Sequence, residues 1–423
     1  MAKQNASKCA VAQLCGACDA IDVPYEKQLE EKQARIVELF DDLADEDCVL
    51  HPICGMSEPY HYRNKVASPF APGKRPAPSG KGKGQSAGKG ARGKRGAKPG
   101  TRREILCGMY AKGTHRIIDS SCCLLENEEA KRIIQAIKQL MPKFGIEPYN
   151  EDTGSGFMRH AIVRVGHSTG EILVTLVTNG AQFPASKAFC RELCKRVPSI
   201  TTIVQNVNTR QTNVILGNEG EQRLYGPGFI LDDLCGLRFR ISSHSFYQVN
   251  ATQTEVLYRR AIELAGLTGN EVVMDAYCGT GTIGLVAAKG LGEAPGAGKV
   301  IGVDKVPEAI KDARNNAHHN KIENAEFFAQ DAGDFMQRLA REGGQIDVLF
   351  MDPPRAGSSL EFLHVTCALK PQRIVYISCG PNTQARDVDH LVKNGYKLTD
   401  IQPVDMFPHT GHIENICRLE LKD

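Results

Sequence analysis

From about residue 251 onward, short apolar runs alternate with helical stretches, and each run closes on a glycine-rich turn, an acid or a cysteine. The string "EVVMDAYCGTGTIGLVAAKG" reads as strand, glycine-rich turn and helix, and "KVIGVDKVPEAIKDARNNAHHN" as strand, acid and helix. The rhythm continues through "AEFFAQDAGDFMQRLA", "IDVLFMDPPRAGSSLEFLHVTCALK" and "RIVYISCGPNTQARDVDHLVKNG". Such alternation is satisfied by a parallel, doubly wound sheet with helices on both faces. Ligands of these sheets sit beyond the carboxyl ends of the strands. The residues that close the runs are therefore the first candidates for a site.

The preceding sequence has a different texture. Residues 24–44 carry Leu29, Ile36, Val37, Leu39, Phe40 and Leu43 among charges, a helical pattern. "HYRNKVASPFA" and "EILCGMYAKGTHRIID" read as two strands, followed by a helix at "ENEEAKRIIQAIKQLMPKFG". The strings "MRHAIVRVG", "EILVTLVT", "ITTIVQNVN", "TNVILG" and "LRFRISSHSFYQVN" read as further strands, interrupted by a helix at "SKAFCRELCKRV". This is an α+β region rich in antiparallel signals. The expected division is 1–55, a cysteine-rich segment with a helix; 56–243, an α+β domain; and 244–423, a Rossmann-like α/β domain.

Charge is unevenly spread. The chain has 52 Lys and Arg against 49 Asp and Glu, a net of +3. Residues 74–103 hold 11 of the basic residues and no acid, so the remainder carries 41 against 49, a net of −8. A Gly-, Pro- and Ser-rich tract of this kind has nothing to bury and should be disordered. It reads as a polycationic arm that grips a nucleic-acid backbone without reading bases. There is no apolar run long enough to span a bilayer and no secretory pattern, so a cytoplasmic protein without membrane association is expected. The 15 cysteines are an odd number, which in a reducing compartment favours metal binding or catalysis over disulfides.

"GTGTIG", residues 279–284, follows a strand and opens a helix. Its glycines permit a tight turn, and the helix N-terminus attracts electron-rich groups. Asp304 closes the next strand, where an acid accepts hydrogen bonds from ribose hydroxyls. These features suit a nicotinamide cofactor and S-adenosylmethionine alike. "FMDPPRAG" then places Asp352 at a strand tip before two prolines, a rigid turn that holds Asp352 and Arg355 over the cofactor end. Finally "IVYISCGP" delivers Cys379 at a strand tip. A cysteine there is by default a small hydrophobe, unless its neighbours make it a nucleophile.

Four strings taken together, S-C-G-P, D-P-P-R-A-G, S-F-Y-Q-V-N and D-M-F-P-H-T-x-H-x-E, spread over residues 244–415, resemble the RNA uracil-5 methyltransferases. The resemblance implies that Cys379 is the nucleophile and Glu414 the proton-abstracting base. A thiolate that adds to C6 of uracil makes C5 nucleophilic, and a base must later remove the C5 proton so that the cysteine can leave. It also implies S-adenosylmethionine contacts from Gln248, Tyr277, Asp304, Asp331 and Asp352. The RNA uridine must leave its stack to reach the thiol. The 23S ribosomal type is expected, with transfer RNA as the alternative, acting as a monomer.

Cys9, Cys15 and Cys18 form a C-x5-C-x2-C string that needs a fourth ligand, and Cys122 and Cys123 are the candidates. Spacing alone does not separate iron–sulfur from zinc. The resemblance extends here and implies a 4Fe–4S cluster, with Cys123 in register as the fourth ligand. Many members carry a small β-barrel RNA-binding domain ahead of these cysteines, whereas eight residues precede Cys9 here. Two rival readings are an iron–sulfur nicotinamide oxidoreductase, which leaves Cys379 and Glu414 idle, and a non-catalytic RNA-binding protein, which leaves the cofactor residues idle.

Overall fold

The computed structural model describes residues 8–73 and 103–422. The basic tract expected over 74–103 lies outside these residues except for Arg103. The α/β sheet foreseen in the C-terminal part is present and has eight strands. From edge to edge they are Val49–Leu50, Tyr396–Val404, Glu414–Leu421, Arg373–Ser378, Val348–Met351, Val272–Ala276, Lys299–Asp304 and Ala325–Ala329. Every pairing is parallel except those of Glu414–Leu421, which runs antiparallel to both neighbours. That reversal puts the first residue of the antiparallel strand beside the last residues of the parallel ones. Ser378 is paired with Asn415.

Both faces of the sheet are covered, as the continuous apolar runs require. One face packs Met274, Leu349, Tyr376 and Leu419 against helical residues that include Met336, Phe362 and Leu391. The other packs Val273, Phe350 and Val375 against the helices Ala251–Ala265 and Thr282–Lys289. The N-terminal helix Tyr25–Phe40, which the sequence groups with the cysteines, joins the first face. Its Ile36 and Phe40, one turn apart, are buried there, and Val49–Leu50 extends the sheet edge.

The central region is a six-stranded sheet in the order Ile105–Cys107, Lys65–Pro72, Met158–Val165, Ile172–Thr178, Ile200–Val207, Glu221–Tyr225. All its pairings are antiparallel except that of Ile172–Thr178 with Ile200–Val207. Helices Glu128–Leu140 and Ser186–Arg196 bury Ile133, Ile137, Phe189 and Leu193 against it. Leu173 and Val204 share a core with Leu257 and Ile262, which pack against the eight-stranded sheet. Two local expectations fail. "TNVILG" is not a strand, because the buried Asn208 amide donates to the carbonyls of Val214 and Ile215 and pins an irregular loop. "EILCGMYAKGTHRIID" breaks at Gly108, where a Cβ would stand 1.9 Å from the Ile118 carbonyl oxygen.

Candidate active site

The C-terminal edge of the large sheet gathers the predicted residues. Tyr277 follows the strand Val272–Ala276 and Asp304 ends Lys299–Asp304. Asp352 follows Val348–Met351, Cys379 follows Arg373–Ser378, and Glu414 opens the antiparallel strand. Asp331, just past Ala325–Ala329, caps the next helix by accepting from the N–H groups of Gly333 and Asp334. The fold thus brings six of the seven predicted catalytic and cofactor residues to one edge by regular topology.

The glycine turn is built for a close-lying ligand. Gly279 has a φ of +53°, and a side chain there would project into open space, meeting nothing within 4 Å. Its N–H donates to Asp304 Oδ2 at 3.0 Å, and Asp304 Oδ1 accepts from Val306 N at 2.8 Å. Each carboxylate oxygen keeps a lone pair for a further donor. Tyr277, at a φ of +64°, sits against the Phe362 ring at 5.3 Å between centroids.

Cys379 is half-buried and Glu414 is buried. Burial raises the Cys379 thiol above its ordinary range, and the Glu414 and Asp352 carboxylates add to this. Arg355 opposes them, its guanidinium hydrogen-bonding the thiol. Burial also holds Glu414 well above the usual carboxylate range, with Asp352 adding and Arg355 again opposing. Asp352 is pushed up to about 7 by burial, although it keeps some accessible surface. The exposed Arg355 acts on both groups, and it also approaches His412 Nδ1 at 3.2 Å. A neighbouring thiol and carboxyl, both held towards neutrality by burial, are groups that could serve as a nucleophile and a base.

Gln248, the seventh residue, lies on no strand. It belongs to the irregular stretch 242–250, which the sequence reads as the end of a strand. Two buried side chains from the central region hold this stretch, neither of them marked by any local pattern. Arg164 donates to the carbonyls of Ser245 and Tyr247, both at 3.1 Å. Asn64 donates to the Gln248 carbonyl at 3.2 Å.

The cysteines form a separate cluster. Cys9, Cys15, Cys18 and Cys123 line one small apolar enclosure with Val11, Ile21 and Leu125. Cys123 is buried and faces it, whereas Cys122 is exposed. Burial and the neighbouring thiols push Cys18 up to about 11. Among the described residues, no three His, Cys, Asp or Glu side chains converge on a point that would hold a single metal ion.

With this geometry in view, the relatives are informative. A family model described as a methyltransferase domain matches residues 267–395. An uncharacterised RNA methyltransferase of Bacillus cereus is 39% identical over 416 residues, which cover 98% of this chain and 83% of that protein. A counterpart from Oceanobacillus iheyensis is 40% identical over 410 residues, covering 96% and 82%. The chain belongs to this RNA methyltransferase family. Among solved structures, the tRNA (uracil-54, C5)-methyltransferase of Pyrococcus abyssi in complex with S-adenosyl-L-homocysteine is similar, with a TM-score of 0.71 and 25% identity. The match covers 96% of this chain and 86% of that one. As an RNA methyltransferase, the chain carries its methyl-transfer domain on the eight-stranded sheet and sets a second, six-stranded sheet against it. No described helix is long and apolar enough to cross a membrane.

Proposed function

We propose that this RNA methyltransferase modifies C5 of a uridine, with Cys379 as nucleophile and Glu414 as base. The observation that carries this reading is the antiparallel register that pairs Ser378 with Asn415 and so sets Cys379 beside Glu414, where each of the Glu414 and Asp352 carboxylates acts on the thiol and Arg355 opposes both. C5 of neutral uracil is a poor nucleophile, so an enzyme that methylates it needs a thiolate for C6 and a base for the C5 proton. The Cys379 thiolate bonds to C6, and electron density passes to C5. S-adenosylmethionine, when bound, supplies the methyl group that C5 takes up. Glu414 then receives the C5 proton, the C6–S bond breaks, and the thiolate departs with its electron pair.

Gln248, Tyr277, Asp304, Asp331 and Asp352 would hold S-adenosylmethionine along the strand edge. The open space at Gly279 and the unfilled acceptor capacity of Asp304 fit a ligand with ribose hydroxyls. In the N-terminal segment, Cys9, Cys15, Cys18 and Cys123 would hold a 4Fe–4S cluster. Four thiols lining one enclosure fit that donor set.

Within this reading the enzyme is a cytoplasmic monomer divided at about residues 55 and 243, with the central sheet contributing to RNA binding. The substrate is 23S ribosomal RNA, the class that accompanies a cluster of this kind in the sequence resemblance. Transfer RNA is the second reading, favoured by the uracil-54 enzyme of P. abyssi. Mapping 5-methyluridine across total RNA from a deletion strain decides between them. Loss of one ribosomal site supports the first, loss of a transfer RNA site the second, and no loss of 5-methyluridine overturns both.

A further inference from the structure

Glu414 is the first residue of its strand and pairs with Val404, and the loop 405–413 that joins the two carries the chain into it. That loop is gripped largely from outside the sheet it enters. Lys32 Nζ donates to Asp405 Oδ1 at 2.7 Å with both groups buried, and the Tyr25 hydroxyl donates to Asp405 Oδ2 at 2.9 Å. The Tyr62 hydroxyl donates to the Pro408 carbonyl at 3.0 Å. Gln28, 2% exposed, accepts from His409 N at 2.9 Å through Oε1, and its Nε2 lies 3.0 Å from His409 Nδ1. Ala20 N donates to the His409 carbonyl at 3.1 Å, and Asp19 Oδ1 accepts from Gly411 N at 3.1 Å. The Tyr60 ring stacks on His409 at 4.8 Å.

His409 itself has a φ of +65°, a left-handed conformation that costs a residue with a side chain free energy unless its surroundings impose it. The imposing groups are Gln28, Tyr60 and Ala20. From the methyltransferase side, Asn250 donates to the Met406 carbonyl and Gln253 to that of Asp405, both at the start of the loop. The half nearest Glu414 is held by residues 19–28 and 60–62, together with Arg355, whose guanidinium approaches His412 Nδ1 at 3.2 Å.

We infer that Gln28, seconded by Asp19, is a positioning residue for Glu414. The N-terminal segment sets the base for proton removal and leaves addition of the Cys379 thiolate to C6 unaffected. This rests on the reading of Glu414 as the base. When that proton is not removed, the C6–S bond cannot break, so the methylated RNA stays covalently attached to Cys379. A merely structural role for Gln28 would lower all steps together and leave no adduct.

The test compares Gln28→Met, Asp19→Ala, Asp19→Asn and Glu414→Gln. Each is assayed for turnover on cellular RNA, for S-adenosylmethionine binding by calorimetry, and for covalent enzyme–RNA species on a denaturing gel. A misplacement near 1 Å costs on the order of a hundredfold in rate. Gln28→Met should fall by about that factor, with unchanged cofactor affinity and a visible adduct band. Asp19→Ala should show a weaker band, and Asp19→Asn, which keeps the acceptor for Gly411, none. If Glu414→Gln traps adduct while Gln28→Met folds, binds cofactor and traps none, the inference is overturned. Should Gln28→Met fail to bind cofactor, the exposed Asp19→Ala decides alone, and absence of its band overturns the inference. Absence of adduct in Glu414→Gln removes the base assignment, and the inference with it.

Discussion

The strand edge and the cysteine enclosure gather reactive side chains by opposite means. At the edge, Tyr277, Asp304, Asp352 and Cys379 arrive because parallel strands all end on the same side. Each position is fixed by a ladder of backbone hydrogen bonds that would exist without the site. In the enclosure, Cys9, Cys15, Cys18 and Cys123 arrive from turns and loops among Val11, Ile21 and Leu125, tied down by single side-chain bonds: Arg63 donates to the Ala17 carbonyl at 3.0 Å and Lys131 to that of Cys123 at 2.7 Å. The edge is preorganised by the fold. The enclosure is held by such individual side-chain contacts, and a group bound by its thiols would become part of its structure.

The comparison breaks most cleanly at Cys379. Cys379→Ala should abolish methylation and leave S-adenosylmethionine affinity within a factor of about two, since the strand edge is unaltered. A variant retaining even a tenth of wild-type turnover in a single-turnover assay would end the covalent mechanism. In the enclosure the expected loss is of colour and order. Protein prepared without oxygen should be brown, Cys123→Ser colourless, and Cys122→Ser brown, as read by visible absorption and iron analysis. Colourless wild-type protein with stoichiometric zinc would reverse the assignment.

The helix Tyr25–Phe40 lies between the two regions and sharpens the contrast. If it belongs to the sheet, Ile36→Ala should cost about 2–5 kcal/mol of stability through the cavity it leaves. Denaturant unfolding should then show the loss in the transition of the methyltransferase domain, with the iron content unchanged. The smallest effect is on pH dependence. In the proposed mechanism the nucleophile is the deprotonated thiol, and burial with two carboxylates raises its pKa. The single-turnover rate should therefore still be climbing above about pH 9, where an ordinary thiol is levelling off. Arg355 lowers that pKa, so Arg355→Met should move the climb to higher pH; an unmoved profile would mean that Arg355 does not tune the thiol.

The same contrast explains what could be read from the sequence. Strand–helix alternation is a local signal, and each tip residue stands immediately after its apolar run, so the edge from Tyr277 to Cys379 was legible. Glu414 was legible only through the string that contains it, because nothing local says that its strand runs antiparallel. Residues that act across long separations left no mark. Arg164 and Asn64 look like surface residues of alternating strands, yet both are buried beneath the Gln248 loop. "TNVILG" has the β-branched character of a strand and lost it to the amide of Asn208, a tertiary contact that overrides propensity.

The clamp on the loop before Glu414 has a consequence for how the protein is made. Gln28 and His409 stand 381 residues apart. At about 5–20 residues per second, synthesis separates them by roughly 20–80 s. During that interval the apolar stripe of the N-terminal helix has no sheet to rest on, because its partner strands Arg373–Ser378 and Glu414–Leu421 do not yet exist. The proposed nucleophile Cys379 is likewise translated before the proposed base Glu414, so the pair, and the clamp of Gln28 on His409, assemble only after residues 379–414 have been made.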